Sequence, residues 1–225
     1  MNKQVIWHIE NGKEAQAEQF ANVIAEELIS AISNFGNAQL FVSGGQSPVT
    51  FFHALAKISL DWKKVTVALV DERCVPHTHN DSNTALVKQH LLIHHAANAN
   101  WCDIVDTMGI PVNQPLVPLP NSIAVLGMGE DSHTASLFPD AANIQAALNL
   151  QDAPQYLTVE PKHAPHKRIS LSARALTKFA HLFVLIQGEK KRIVLEKALS
   201  EANAAHPIGF VINHANCCTN IYWSP

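Results

Sequence analysis

Hydrophobic positions along this chain fall into two alternating patterns. In the segment 13–34, apolar residues recur at spacings of three and four, which predicts an amphipathic helix that ends at Gly36. Short apolar runs that are partly β-branched, such as residues 38–42 and 122–126, are typical of buried strands. Because such strands alternate with helices, the sequence predicts an α/β fold with a mostly parallel sheet and helices on both faces.

The same reasoning assigns the remaining elements. The predicted strands are 4–9, 38–42, 64–70, 122–126, 156–160, 168–172 and 181–186, with two short strands near Phe210 and near Tyr222. The predicted helices are 13–34, 48–55 with Ser47 as N-cap, 82–94, 141–149 and 189–200, and residues 134–136 could open another. Residues 103–121 carry four prolines and are predicted as a loop. No repeat interrupts the pattern, so we expect residues 1–225 to form one domain.

Composition excludes several classes of protein. The net charge of −3 argues against a generic nucleic-acid surface. No apolar run approaches the roughly 20 residues that a membrane span needs, and the polar N-terminus does not resemble a secretory signal. The four cysteines form no C-x-x-C pair, and we interpret them as reduced thiols of a cytoplasmic protein.

Polar and charged residues follow four of the predicted strands, at 43–47, 71–73, 131–133 and 188–191. In a parallel sheet, these four strand ends meet at one edge, which is where open α/β sheets bind ligands. The loop 43–48 offers backbone N–H groups and a helix N-terminus, a combination that suits an anion, although a plain tight turn is the alternative. Arg73 could hold a carboxylate or phosphate, or form a structural ion pair with Asp71 or Glu72.

The stretch 127–139 places Asp131 and His133 just after a predicted strand and two glycines. Histidine suits proton transfer, because its unperturbed pKa is about 6.5. The alternative is that Asp131 caps a helix and His133 is an ordinary surface residue.

Thirteen histidines also raise the question of a metal site, but no glutamate stands in an H-E-x-x-H position and no cysteine completes a ligand set. We therefore expect no metal site.

Five segments together carry a resemblance to a known family. They are F-V-S-G-G-Q-S-P at 41–48, V-D-E-R-C-V-P at 70–76 followed by D-S-N, L-G-M-G-E-D-S-H-T-A-S-L-F-P at 126–139, P-K-H-A-P-H-K-R-I-S-L at 161–171 and G-E-K-K at 188–191. In this order they resemble the 6-phosphogluconolactonase family, within the glucosamine-6-phosphate isomerase/deaminase-like superfamily. Related deaminases continue with F-N-E-P after the histidine and carry tyrosine in place of Arg73, so the lactonase branch is favoured.

The resemblance implies a modified Rossmann-like sheet and hydrolysis of 6-phospho-D-glucono-1,5-lactone without a cofactor. We expect the protein to be a monomer or a small homo-oligomer. It implies His133 as general base, with Asp131, Arg73 and Asp71 as further catalytic candidates. The substrate phosphate would lie against Ser43, Gly44, Gly45, Ser47, Arg168 and Lys191, with Lys190 as the alternative lysine. Two other functions stay open: a sugar-phosphate isomerase or deaminase that uses Asp71 and His133, and a non-catalytic sugar-phosphate sensor.

The chain departs from the family pattern at three places. Ser132 replaces the glycine of the D-G-H core. If the loop keeps the family shape, we expect a positive φ there and a gain in stability from Ser132→Gly, whereas in a loop relaxed to negative φ glycine would be slightly destabilising. Gln46 replaces a small hydroxyl residue. The segment before the central strand is short and proline-rich, and Ser122 stands where relatives usually have aspartate.

Overall fold

A parallel sheet of seven strands lies at the centre of the computed structural model, which describes residues 5–119 and 121–225. In spatial order the strands are β1 (Val5–Ile9), β10 (Thr219–Ser224), β9 (His181–Gln187), β6 (Ile123–Leu126), β2 (Ala38–Val42), β3 (Val65–Leu69) and β5 (Asn100–Cys102). Every pairing in this sheet is parallel, as the alternation of strands and helices predicted. Only β5 was not predicted.

Helices cover both faces of this sheet. They are α1 (Lys13–Phe35), α2 (Val49–Ala56), α3 (Asn83–His90), α4 (Ile144–Leu148), α5 (Ala173–Leu176), α6 (Glu189–Glu201) and α7 (Pro207–His214). Side chains of successive strand residues point to opposite faces, so each central strand contributes side chains to the two hydrophobic cores, one on each face of the sheet. In β2, Leu40 and Val42 pack in the core under α1 and α2, whereas Phe41 packs in the core on the side of α4 to α7. Among the described residues, no helix has both the length and the apolar character needed to cross a bilayer.

A second, antiparallel sheet has the order β4 (Asp71–Arg73), β8 (Arg168–Leu171) and β7 (Tyr156–Val159). The predicted strand 64–70 is therefore followed by a separate short strand at residues 71–73, which the sequence pattern placed at the end of the first one. The chain leaves the central sheet after Leu69, where the Val70 N–H still donates to Val42, and Leu171 in turn donates to Val70. The register pairs Arg73 with Arg168 directly across the two strands.

Two predicted elements are wrong. The run around Phe210 is not a strand but part of α7, which has proline in its first turn and buries Ile208, Val211 and Ile212 at helical spacing. Short β-branched runs fit either structure, so tertiary packing decided this one.

Residues 134–136 do not open a helix. Ala135 has φ 47°, Thr134 forms an isolated bridge with Leu137, and the next helix, α4, begins only at Ile144. The Ser136 N–H donates to Ser170 Oγ, and its hydroxyl donates to the Asp71 carboxylate. These bonds to the second sheet hold the segment in an extended turn.

Candidate active site

A cavity of about 250 Å³ lies where the carboxyl ends of the central strands meet the second sheet. It is lined by Ser43, Gly44, Gly45, Gln46, Ser47, Pro48, Asp71, Arg73, Asn83, Gly127, Met128, Gly129, His133, Ala135, Arg168 and Lys191. The structure thus brings together nine of the eleven predicted site residues. The other two, Asp131 and Lys190, lie outside the cavity lining.

The loop between β2 and α2 forms one wall of the cavity. A Cβ on Gly44 would lie 1.9 Å from Asn83 Oδ1, so only glycine lets this backbone lie against the asparagine. The helix begins one residue later than predicted, with Pro48 in the N-cap position and no side-chain cap. Ser47 does not cap it and instead lies 3.5 Å, Oγ to Nζ, from Lys191. The uncapped N–H groups of α2 remain available to an anion.

Two arginines form the opposite wall. Arg73 and Arg168 are cross-strand neighbours, an arrangement in which like charges repel. Arg168 is 6% exposed, and burial lowers its pKa, whereas Asp71 acts in the opposite direction. The Nε atoms of both arginines are buried and have no hydrogen-bond partner within the described part of the chain. A bound anion would relieve the repulsion between the two side chains, because guanidinium groups bind phosphate and carboxylate strongly.

A buried carboxylate holds Arg73 in position. Glu72 is fully buried and accepts from the N–H groups of Arg73, Asn83 and Thr84 and from the hydroxyl of Ser82. Its negative charge lies at the N-terminus of α3, where the helix dipole favours an anion. With Glu72 occupied in this way, the Arg73 guanidinium donates from Nη1 to the main-chain carbonyl of Asp81.

His133 is oriented by Asp131. Its Nδ1 lies 2.6 Å from Asp131 Oδ1, so this nitrogen carries the proton towards the carboxylate, and Nε2 keeps its lone pair. Burial acts to raise the pKa of Asp131, but the side-chain and backbone hydrogen bonds from His133 outweigh it and leave that pKa below its ordinary value. Asp131 therefore stays ionised behind the imidazole. The alternative of a helix cap is excluded for Asp131, because no helix begins within this segment.

Two neighbours determine where the imidazole lies. The His133 ring stacks on Phe138 at 4.1 Å between centroids, and the Arg168 guanidinium lies 4.8 Å from the same Phe138 ring. A Cβ on Gly129 would lie 2.2 Å from the His133 ring and 2.6 Å from Asp131 Oδ1. Glycine at 129 thus makes room for the histidine–aspartate pair.

Ser132 has φ 66°, the left-handed conformation that we expected at this position. Its side chain is buried, and its Oγ lies 3.1 Å from both the carbonyl oxygen of Ala205 and Nδ1 of His206. Its own carbonyl accepts from the Ile208 N–H. The connection between α6 and α7 therefore anchors the loop that carries His133.

The two predicted lysines differ in placement. Lys191 lines the cavity, and burial lowers its pKa because the charged ammonium group is partly removed from water. Lys190 is exposed and forms an ion pair with Glu130.

Three further residues of the site were missed from the sequence. They are Asn83, whose amide donates to the Asp71 carbonyl, Ser136, which donates to the Asp71 carboxylate, and the buried Glu72. The D-S-N segment and the glutamate inside D-E-R were visible, but their contacts join two segments 10 to 12 positions apart across a turn, which backbone periodicity does not predict.

The fold and the cavity together define a doubly wound α/β protein with a pocket lined by cationic side chains and an oriented histidine at its sheet edge. The family model for glucosamine-6-phosphate isomerases/6-phosphogluconolactonase matches residues 11–223. A 6-phosphogluconolactonase of Neisseria meningitidis is 38% identical over 232 residues, covering 97% of this chain and 99% of the relative. Another, from Pseudomonas putida, is 38% identical over 217 residues, covering 93% and 88%. The crystal structure of a 6-phosphogluconolactonase from Shewanella baltica has a TM-score of 0.91 at 32% identity and covers all of both chains.

This chain belongs to the glucosamine-6-phosphate isomerase/6-phosphogluconolactonase family. The relatives named above are lactonases, which agrees with S-L-F-P after the histidine and with arginine at position 73.

Proposed function

We propose that this protein hydrolyses 6-phospho-D-glucono-1,5-lactone to 6-phospho-D-gluconate, the second step of the oxidative pentose phosphate pathway. The observation that carries the proposal is the shared cavity: a histidine oriented by a carboxylate opens onto the same space as Arg73, Arg168 and Lys191. Hydrolysis of a phosphorylated lactone needs a base for water, a donor for the oxyanion and cations for the phosphate. The names of the near full-length relatives support the same reaction.

His133 acts as the general base. Water is a weak nucleophile, so Nε2 removes a proton as the water oxygen attacks the lactone carbonyl carbon, C1. Asp131 holds the imidazole in the required tautomer and stabilises the imidazolium that forms. The tetrahedral oxyanion is stabilised by Arg73 or by an N–H of the glycine-containing loops. When the ring C–O bond breaks, the imidazolium returns its proton to the departing ring oxygen.

The phosphate binds at the other end of the cavity. Gly44, Gly45 and Ser47 contribute the loop and the start of α2, and Arg168 and Lys191 contribute positive charge. Ser43 supports this wall, since its Oγ accepts from the Gly127 N–H and joins the two glycine-containing loops. Asp71 accepts from Ser136 and lies near Arg168, so we assign it to positioning the arginine. Binding energy from the phosphate then places C1 against the base.

A direct assay tests the proposal. The purified chain is mixed with freshly prepared 6-phosphogluconolactone, and proton release is followed against the spontaneous rate. His133→Asn should lower kcat about 10²- to 10⁴-fold while product binding persists, as expected for loss of a general base. Turnover of glucosamine 6-phosphate without lactonase activity would indicate the isomerase or deaminase function. Binding of 6-phosphogluconate without any turnover would indicate the sensor.

We further propose that residues 1–225 act as one catalytic domain, because the family model and the relatives extend over almost the whole chain. We also propose a cytoplasmic monomer or small homo-oligomer that works without a cofactor and does not bind nucleic acid. The unpaired thiols of Cys74 and Cys102 support a reducing compartment.

A further inference from the structure

Two histidines and an aspartate meet at the edge of the candidate active site, outside the residues assigned to catalysis. One potential ligand atom each from His79, Asp81 and His166 lies within 4.8 Å of the others. Asp81 Oδ2 is 2.8 Å from His166 Nε2 and 3.8 Å from His79 Nδ1. The two imidazole rings are perpendicular, with centroids 5.1 Å apart.

These groups form a ligand set for a particular class of ion. Two imidazole nitrogens and one carboxylate oxygen suit Zn²⁺ and its neighbours in the first transition row, whereas Ca²⁺ and Mg²⁺ prefer oxygen alone. Tetrahedral Zn²⁺ with ligands at about 2.1 Å requires ligand atoms about 3.4 Å apart. The observed separations of 2.8 and 3.8 Å from Asp81 bracket that value. Small rotations of partly exposed side chains are therefore enough to admit the ion.

The Asp81 carboxylate already makes the contact that a metal would replace, since its Oδ2 lies 2.8 Å from His166 Nε2. His79 Nδ1 accepts from the Asp81 N–H, so this nitrogen carries a lone pair. A metal takes over the lone pair of His79 and displaces the proton that His166 shares with the carboxylate.

We propose that His79, Asp81 and His166 bind one divalent transition-metal ion of the Zn²⁺ class, with water in the remaining coordination positions. The site is distinct from the cavity but adjoins it, because the main-chain carbonyl of Asp81 accepts from Arg73. No spacing rule detects this ligand set, since 85 residues separate Asp81 from His166.

The test uses untagged, chelator-treated full-length protein and Co²⁺ as a spectroscopic probe, with Zn²⁺ titrated by calorimetry. We expect one equivalent of either ion to bind, and Co²⁺ to show visible bands without the intense near-ultraviolet absorption of thiolate ligands. His166→Gln and His79→Gln should each weaken binding at least about tenfold, since even the loss of a group that hydrogen-bonds a metal ligand costs about that much. Circular dichroism checks that both variants fold.

His163→Gln is the matched control. His163 lies in the same segment as His166 and also bonds an aspartate, Asp140 at 2.7 Å, but among the residues that the structure describes no second histidine joins that pair. This control should bind as the wild type does. The proposal is overturned if the wild type binds neither ion, if both ligand variants keep wild-type affinity, or if His163→Gln loses affinity to the same extent as His166→Gln.

Discussion

Ser132→Gly tests how the loop of His133 is held. From the sequence we expected this change to stabilise the protein, because glycine relieves the strain of a positive φ. The structure confirms the positive φ but reverses the expected sign, because the Ser132 hydroxyl bonds both the Ala205 carbonyl and His206.

The magnitudes decide between these effects. Relief of the left-handed strain is worth about 1 kcal/mol. The hydroxyl has a single proton and donates one hydrogen bond, worth about 1 kcal/mol, and glycine adds unfolded-state entropy worth about 0.4–1 kcal/mol. The free energy of unfolding should therefore fall by about 0.5–1 kcal/mol, and at 225 residues this lowers Tm by roughly 1–4 °C.

The measurement is a thermal melt of the wild type and of Ser132→Gly, combined with the lactonase assay. Lactonase activity measured at temperatures well below Tm should change little, because glycine adopts the same backbone conformation and the carbonyl of position 132 still accepts from the Ile208 N–H. His206→Ala supplies a double-mutant cycle: its cost should be smaller in the glycine background by about 0.5–1 kcal/mol, since the shared bond is already lost. A Tm for Ser132→Gly above that of the wild type would refute the reasoning.

Three other predictions rest on matched or internal comparisons. Gly129→Ala should lower kcat by about tenfold or more, because its Cβ would displace the catalytic imidazole. Gly127→Ala is the control and should retain activity, because its Cβ would have its nearest contact at 3.8 Å. Equal losses of kcat in the two variants would contradict the steric argument. Lys191→Ala should raise KM for the phosphorylated lactone and leave the slow turnover of unphosphorylated gluconolactone unchanged. Lys190→Ala should change neither of these two quantities, because Lys190 is paired with Glu130 outside the cavity. A rise in KM for Lys190→Ala but not for Lys191→Ala would instead assign the phosphate to Lys190. Asp131 has a lowered folded-state pKa, so its stabilising effect is present above the unfolded value of about 3.8 and is lost as pH falls through the folded pKa. The difference in Tm between the wild type and Asp131→Asn should accordingly be largest near neutral pH and shrink in acid, and a difference that is independent of pH would contradict the assignment.

Much of the fold was predictable because its signals are local. The period of apolar residues in 13–34 and the short buried runs of the central strands are properties of consecutive residues, and alternation of the two leads directly to a parallel sheet. The strand ends then had to converge on one edge, which is why Ser47, His133 and Lys191 could be assigned to a common pocket before any contact was known. The run around Phe210 failed because its local pattern fits a strand as well as a helix.

Sequence alone therefore determined the class of fold, the family motifs and the edge at which chemistry is placed. Tertiary structure alone decided which side chains touch: Arg73 lies across from Arg168, Ser136 donates to Asp71, and Ser132 bonds His206. The physical reason is that these contacts join segments between 65 and 95 positions apart, whereas backbone periodicity constrains only near neighbours. The sign of the Ser132→Gly effect shows the difference, because strain can be inferred from one residue but its compensation depends on a distant partner.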